Sequence, residues 1–436
     1  AAYTLKAKVL LYWASPLFNG NTDYNDFLDH NQTPFFNQVE DKGRWKLAAE
    51  ACEDAINACA QAGIRLYQKE DYVTSHLLTD ETQMVNAIRN SVLEPWNCEL
   101  IWGCTRSMLD PGFQSSCLPR LENGGTAVTV ATISLPFSTV NTFYTKNGLP
   151  IEQDASYYKD GMYFPVKYSK DNSEFTEHYD FDYNYRYVIE NETTAGMNFD
   201  REPRFYASVG FDRGVWYGNS YSDPAGDQGT TQAAYRYPKN RFGEFSSVWN
   251  STWYNATGYW PKKLVALRST FTGSDNVSYY SIPFPDMRYA DLLLMAAEAW
   301  NEAEESPNEK VYGYLNQVRN RAGLEGIKET YTKYASAQYK DYPSNKSRMR
   351  EIIHRERQIE LSCEGSYYWD TRRWKTAGKE LNRIVQGWNV LNGETAEEYY
   401  IPTNLYNQQF TFRDYFAPIP DADIIRNPQL VQNPEW

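Results

Sequence analysis

Trp216 and Tyr217, in the stretch RGVWYGN, are the residues whose placement most suggests chemistry, and that chemistry is stacking rather than bond-making. Gly214 and Gly218 let the backbone come close and leave the rings to project. An aromatic face suits the flat apolar face of a sugar, with Asn, Asp and Arg between the rings for its hydroxyls. Tyr221, Trp253 and Tyr254 come next, and Trp102 with Arg106, around Gly103 in WGCTR, is a further candidate. Each ring has an equally simple reading, in which it only staples a loop onto the scaffold.

Bond-making chemistry finds less support. No nucleophile with an adjacent base stands out. A glycoside hydrolase needs two carboxylates about 5 to 9.5 Å apart, and among 56 Asp and Glu residues no short motif singles out a pair. The four histidines are scattered and the six cysteines include no C-x-x-C pair, so neither a metal site nor a cofactor is expected. Cys52 and Cys59, seven apart on one predicted helix, lie ~10 Å apart along its axis, too far for a disulfide, and read as core thiols. Pairing among Cys98, Cys104 and Cys117 is geometrically open. A net charge of -13 argues against a nucleic-acid partner and tolerates a neutral ligand.

The elements that must position these rings are mainly helical. Residues 1–122 read as a first helical part, 123–285 as a loop-rich ligand-binding region, and 286–436 as a second helical part, together one domain. In the first, Ala2, Leu5, Val9 and Tyr12 share a helical face, and Trp45, Ala48, Ala49, Cys52, Ala55, Ile56 and Cys59 follow the helical period up to a Gly63 cap. Alternation through Phe205, Ala207, Val209 and Phe211 predicts a short strand. Of the 56 residues from Phe205 to Trp260, 15 are aromatic, which places the ligand there. Asp286 is a plausible N-cap for a helix through Ala303 carrying Tyr289, Leu292, Leu293, Ala296 and Trp300, and Val311, Leu315, Val318 and Ala322 give the next helix, closed by Gly323. No apolar run approaches the ~18 residues of a membrane span. Ala1 opens inside a helical pattern without a signal sequence, so the chain reads as a mature or truncated product.

Residues 347–374 are of a different kind. Met349, Ile352, Ile353, Ile359 and Leu361 give a helix an apolar face, yet Glu356, Arg357 and Glu360 crowd the adjoining turns. Gly365 is expected to stop that helix, and Trp45, Trp300 and Trp374 read as core. A solvated salt-bridge face is one reading; a partly buried Arg/Glu network is the other, since Arg forks pair bidentately with carboxylates.

Ile353, Glu356, Arg357, Glu360, Leu361, Glu364 and Gly365, followed by Asp370, Arg372, Arg373 and Trp374, resemble the I-x-x-E-R-x-x-E-L-x-x-E-G and D-x-R-R-W signature of the SusD/RagB family, cell-surface nutrient-binding lipoproteins of Bacteroidetes. NGLPI, REPRFYAS, RYADLLLMAAEAWNEA and the tail from Ala417 to Pro434 resemble further motifs of that family in order, with Asp423 where the family usually has Glu. The resemblance implies a mainly α, tetratricopeptide-like scaffold of helical pairs, with an irregular aromatic-rich loop region and a few short strands. It implies non-catalytic capture of an oligosaccharide, or of a peptide as in the RagB branch. It further implies hand-over to a SusC-like TonB-dependent β-barrel transporter at the outer membrane, under which the binder acts as a lid. The family's N-terminal portion, with its lipidated Cys, is not matched.

Overall fold

The computed structural model describes residues 1–106, 110–121, 129–218, 226–229, 235–272 and 276–436. The scaffold starts with α1 (Ala2–Ala14), α2 (Gly43–Gln61) and α3 (Asp80–Leu93). After a short α4 (Pro203–Ser208) it continues with α5 (Tyr289–Ala303), α6 (Glu309–Arg321), α7 (Lys346–Glu360) and α8 (Ser366–Arg373). α5 is the centre. Every residue from Tyr289 to Asn301 is buried, because α2, α6 and α7 all pack on it. A helix apolar on nearly all sides can only sit inside such a cluster.

Small residues decide how α1 and α2 meet. Ala7, Leu11 and Ala14 of α1 share a core with Ala48, Ala49, Cys52 and Ala55 of α2, so the two backbones approach closely. The face expected from the sequence is the other one: Leu5 and Val9 are exposed. Side-chain size, rather than hydrophobicity alone, chose the buried face. Cys52 and Cys59 are buried thiols, and Cys98, Cys104 and Cys117 are free as well. Gly63 and Gly323, both at positive φ, follow α2 and α6.

The strands are short antiparallel pairs. β1 (Leu100–Cys104) pairs with β4 (Phe284–Arg288), and β2 (Val209–Phe211) with β3 (Tyr259–Pro261). β5 (Arg383–Gly387) pairs with β6 (Thr403–Gln408). The β1–β4 ladder keeps the chain extended through Arg288, so Arg288 and not Asp286 takes the N-cap position of α5. Pro203 opens α4 with its fixed φ, and the strand expected from Phe205 therefore begins only at Val209. α7 ends at Glu360. Gly365, at φ 83°, stands just ahead of α8 rather than at the end of the signature helix.

The loop-rich middle has a core of its own. Phe143, Tyr168, Phe175, Phe199, Phe205 and Phe211, with Trp388 from the C-terminal part, belong to one buried cluster in which rings meet edge-on or stacked. Packing, more than ligand binding, accounts for the density of aromatic residues here.

Candidate functional site

Trp216 and Tyr217 point inward, which corrects the expectation that their rings project. Trp216 is 1% exposed and packs with Leu93, Cys117, Trp260 and Ile282. Tyr217 is buried beside Ile189 and Tyr235, and His76 Nδ1 lies 2.7 Å from its hydroxyl. The flanking glycines make room instead of exposing the rings. A Cβ on Gly214 would come 2.7 Å from Phe211 Cε2, and one on Gly218 2.6 Å from Leu267 Cδ2. Tyr221 lies outside the described residues.

Trp253 does reach the surface, in company the sequence did not single out. Trp249 is 58% and Trp253 41% exposed, and Phe242 and Phe245 are exposed close by. Asn250 fixes the turn between the indoles, its Oδ1 accepting from the backbone N–H groups of Thr252 and Trp253 at 2.9 Å each. Arg120, buried below, sets its guanidinium 4.6 Å from the Trp249 ring centre and donates to the Ser247 carbonyl. The Ser246 hydroxyl returns a hydrogen bond to the Arg120 carbonyl at 2.5 Å. Burial pushes the Arg120 pKa down. Tyr254 is half-buried and leans on the aromatic core. The result is a pair of exposed indoles on one hydrogen-bonded turn, the Trp249–Trp253 platform. Trp249 was within reach of the sequence, four residues before Trp253; Arg120, more than a hundred residues away, was not.

Trp102 and Arg106 belong to a different surface. Trp102 is exposed on β1, whereas Arg106 lies on the rim of a cavity of about 550 Å³ with Trp369 of α8 also in its lining. Below that rim lies the charged signature. Arg357 donates from Nε to Asp370 at 3.1 Å. Arg373 donates to Glu298 from both Nη atoms, at 2.5 and 2.7 Å, and Trp374 Nε1 reaches the same carboxylate at 2.8 Å. Glu356 receives Arg204 at 2.5 Å and Arg319 at 3.2 Å. Glu360 receives Arg288 at 2.8 Å and is ion-paired with Arg321. Arg288 Nε donates to Glu364 at 2.7 Å, and Lys263 reaches Glu364 at 2.6 Å. Arg372 is apart from this set, half-buried, its guanidinium stacked 3.5 Å from the Tyr368 ring centre.

The network sets the titration of its members. Burial alone would raise the Glu298 pKa, but the Arg373 guanidinium overrides it and holds the value at about 2. Glu360 is likewise held low against its burial by Arg321 and Arg288. His354, stacked 3.5 Å from Trp374, is pushed down to about 3 by burial.

A buried charged floor under paired scaffold helices, with exposed indoles on a separate loop, defines a mainly helical scaffold protein. The family profile described as the SusD family matches residues 107–436, and the chain belongs to that family. It is 29% identical over 204 residues to SusD-like protein P2 of Formosa agariphila, a match covering 47% of this chain and 34% of that one. Its fold superposes on the solved selenomethionine form of BT4246 with a TM-score of 0.79 and 25% identity, covering all of this chain and 73% of that one. A SusD-like protein (BF3747) of Bacteroides fragilis gives a TM-score of 0.56 at 19% identity, over 92% of this chain and 65% of that one.

Proposed function

We propose that this chain is a non-catalytic carbohydrate-binding protein that takes an oligosaccharide on the Trp249–Trp253 platform. The observation that carries the reading is a pair of exposed indoles, Trp249 with Arg120 against its ring and Trp253 on a turn whose backbone Asn250 holds, on a chain of the SusD family. Rigid rings bind with little loss of conformational entropy, and sugar C–H faces stack on them. The carboxylates lining the cavity include Glu364, Asp370 and Asp291, each paired with Arg or Lys, whereas a glycosidase keeps one carboxylic acid protonated. Membership of the family supports hand-over to a SusC-like TonB-dependent β-barrel at the outer membrane, with a lipid anchor holding the binder at the cell surface, as part of the same proposal. No helix among the described residues is long and apolar enough to cross a membrane itself.

Affinity electrophoresis of the protein in gels containing different polysaccharides tests the reading. At least one glycan should retard the parent. Trp253→Ala and Trp249→Ala should each weaken retention by roughly 0.5–1.5 kcal/mol, about two- to tenfold in Kd, with an unchanged melting temperature. Equal retardation of the double variant would remove the platform from the binding surface. For the partner, co-expression with a SusC-like β-barrel and a detergent pull-down should recover both chains, and loss of the barrel would leave a free-standing binder.

A further inference from the structure

Two cations inside the protein lack a counter-charge. Arg89 of α3 and Lys262, just past β3, are both more than nine-tenths buried, yet among the described residues no carboxylate pairs with either. Backbone carbonyls take their hydrogens instead. Arg89 donates to Tyr217 and Val265 at 2.9 and 3.0 Å, and Lys262 Nζ donates to Tyr206 at 3.0 Å and Val215 at 2.8 Å. An ammonium has a third N–H to give, and Arg89 Nε is without a hydrogen-bond partner. The Trp216 ring, centred 6.0 Å from Arg89 and 5.8 Å from Lys262, offsets only part of the charge. Buried cations left in this way are costly. Burial brings the Arg89 pKa down to about 9, and burial with the Arg89 charge beside it pushes the Lys262 amine well down too.

Lys262 lines a chamber of about 20 Å³, and so does Asn86, one turn before Arg89 on α3. Asn86 is fully buried, and neither its Oδ1 nor its Nδ2 has a hydrogen-bond partner. Asp227, the carboxylate in the same lining, is already engaged: Thr79 donates to it from the backbone N–H and from Oγ1 at 2.8 Å each, Thr82 donates from its hydroxyl, and Arg186 Nε lies 3.9 Å away. With Asp227 set against Arg186, the charges of Arg89 and Lys262 are left over. A space of this size admits a single water-sized guest. A water molecule would satisfy the amide and leave the charge, whereas an anion accepts from the amide and also supplies the counter-charge. We propose that the chamber is a binding site for one monovalent, chloride-sized anion. It accepts from the third N–H of Lys262 and from Asn86 Nδ2, and Arg89 balances it from one turn further along α3. Bound there, it ties α3 to the segments that carry Val215 and Lys262.

Bromide soaked into crystals of the protein and located by its anomalous scattering is the first probe. One peak per chain should lie within hydrogen-bond reach of Lys262 Nζ and Asn86 Nδ2. In solution, chloride titrated into chloride-free sodium gluconate at constant ionic strength should raise the melting temperature by roughly 1–4 °C and then level off, as the filling of one site does. Asn86→Asp builds the counter-charge into the chain at nearly the same shape. It should melt above the parent in gluconate and lose the response to chloride. Trp253→Ala should respond to chloride as the parent does, so this site and the indole platform fail separately. Density for water alone with no bromide peak, a bromide peak with no chloride response in solution, or an Asn86→Asp variant that melts below the parent in gluconate overturns the proposal.

Discussion

Arg357 illustrates what a single buried guanidinium does here. Its partners Asp370 and Asp291 come from different helices, and truncating it leaves Asp291, among the described residues, with the ion pair to Lys8 3.8 Å away. Breaking one side of a buried pair costs roughly 3–5 kcal/mol, so urea denaturation of Arg357→Ala should show a loss of that order. Trp216→Ala should also fall by about 3–5 kcal/mol, the cost of an emptied core, whereas Trp253→Ala should stay within about 0.5 kcal/mol of the parent. The two tryptophans look alike in sequence, each beside a tyrosine in a loop-like stretch. What separates them is Gly210, where a Cβ would sit 2.5 Å from Trp216 Cζ3. That contact is tertiary, and no local pattern carries it. The charged signature was more legible, because Arg and Glu at helical spacing on a face that must also pack allow few arrangements.

At the scale of elements, α2 and the α5–α6 pair could be read from periodicity because burial on several sides writes a long apolar pattern. α1 could not, since its bulkier apolar residues face outward while alanines do the packing. The loop carrying Gly148 shows how irregular segments are bound to the helices. Gly148 is at φ 77°, its carbonyl accepts from Arg319 Nη2 at 3.1 Å, and a Cβ there would lie 2.6 Å from the same nitrogen. Gly148→Ala therefore meets the left-handed penalty of roughly 1–2 kcal/mol and pushes Arg319 away from Glu356 as well. Thermal unfolding should show a loss larger than that penalty alone. Adding Arg319→Lys, which relieves the clash, should cost less than the sum of the two single changes.

The molecule as a whole should be acid-sensitive in two stages. His354 has its pKa lowered from 6.5 to about 3, so the unfolded chain takes up a proton first and stability falls once the pH drops below about 6.5. Glu298, lowered from 4.5 to about 2, adds a second loss below about pH 4.5, because its carboxylate is then protonated in the unfolded chain but still charged in the native one. Chemical denaturation between about pH 6.5 and pH 4.5 should give a slope of up to about 1.4 kcal/mol per pH unit from His354. His354→Gln, less stable at the upper end for want of the ring stacked on Trp374, should show a flatter slope. A variant as steep as the parent would place the first stage elsewhere.

Glu356, Glu360, Glu364 and Asp370 are made late, after Arg204, Arg288, Arg319 and Arg321. Glu202 is made beside Arg204, and Glu99 before Arg288 and Arg321, but each of the four guanidinium groups still lacks at least one of its carboxylates when it leaves the ribosome, and desolvating it early is costly. Closure of the interior thus waits for one late stretch of polypeptide. A truncated translation product should remain open and visible to proteases.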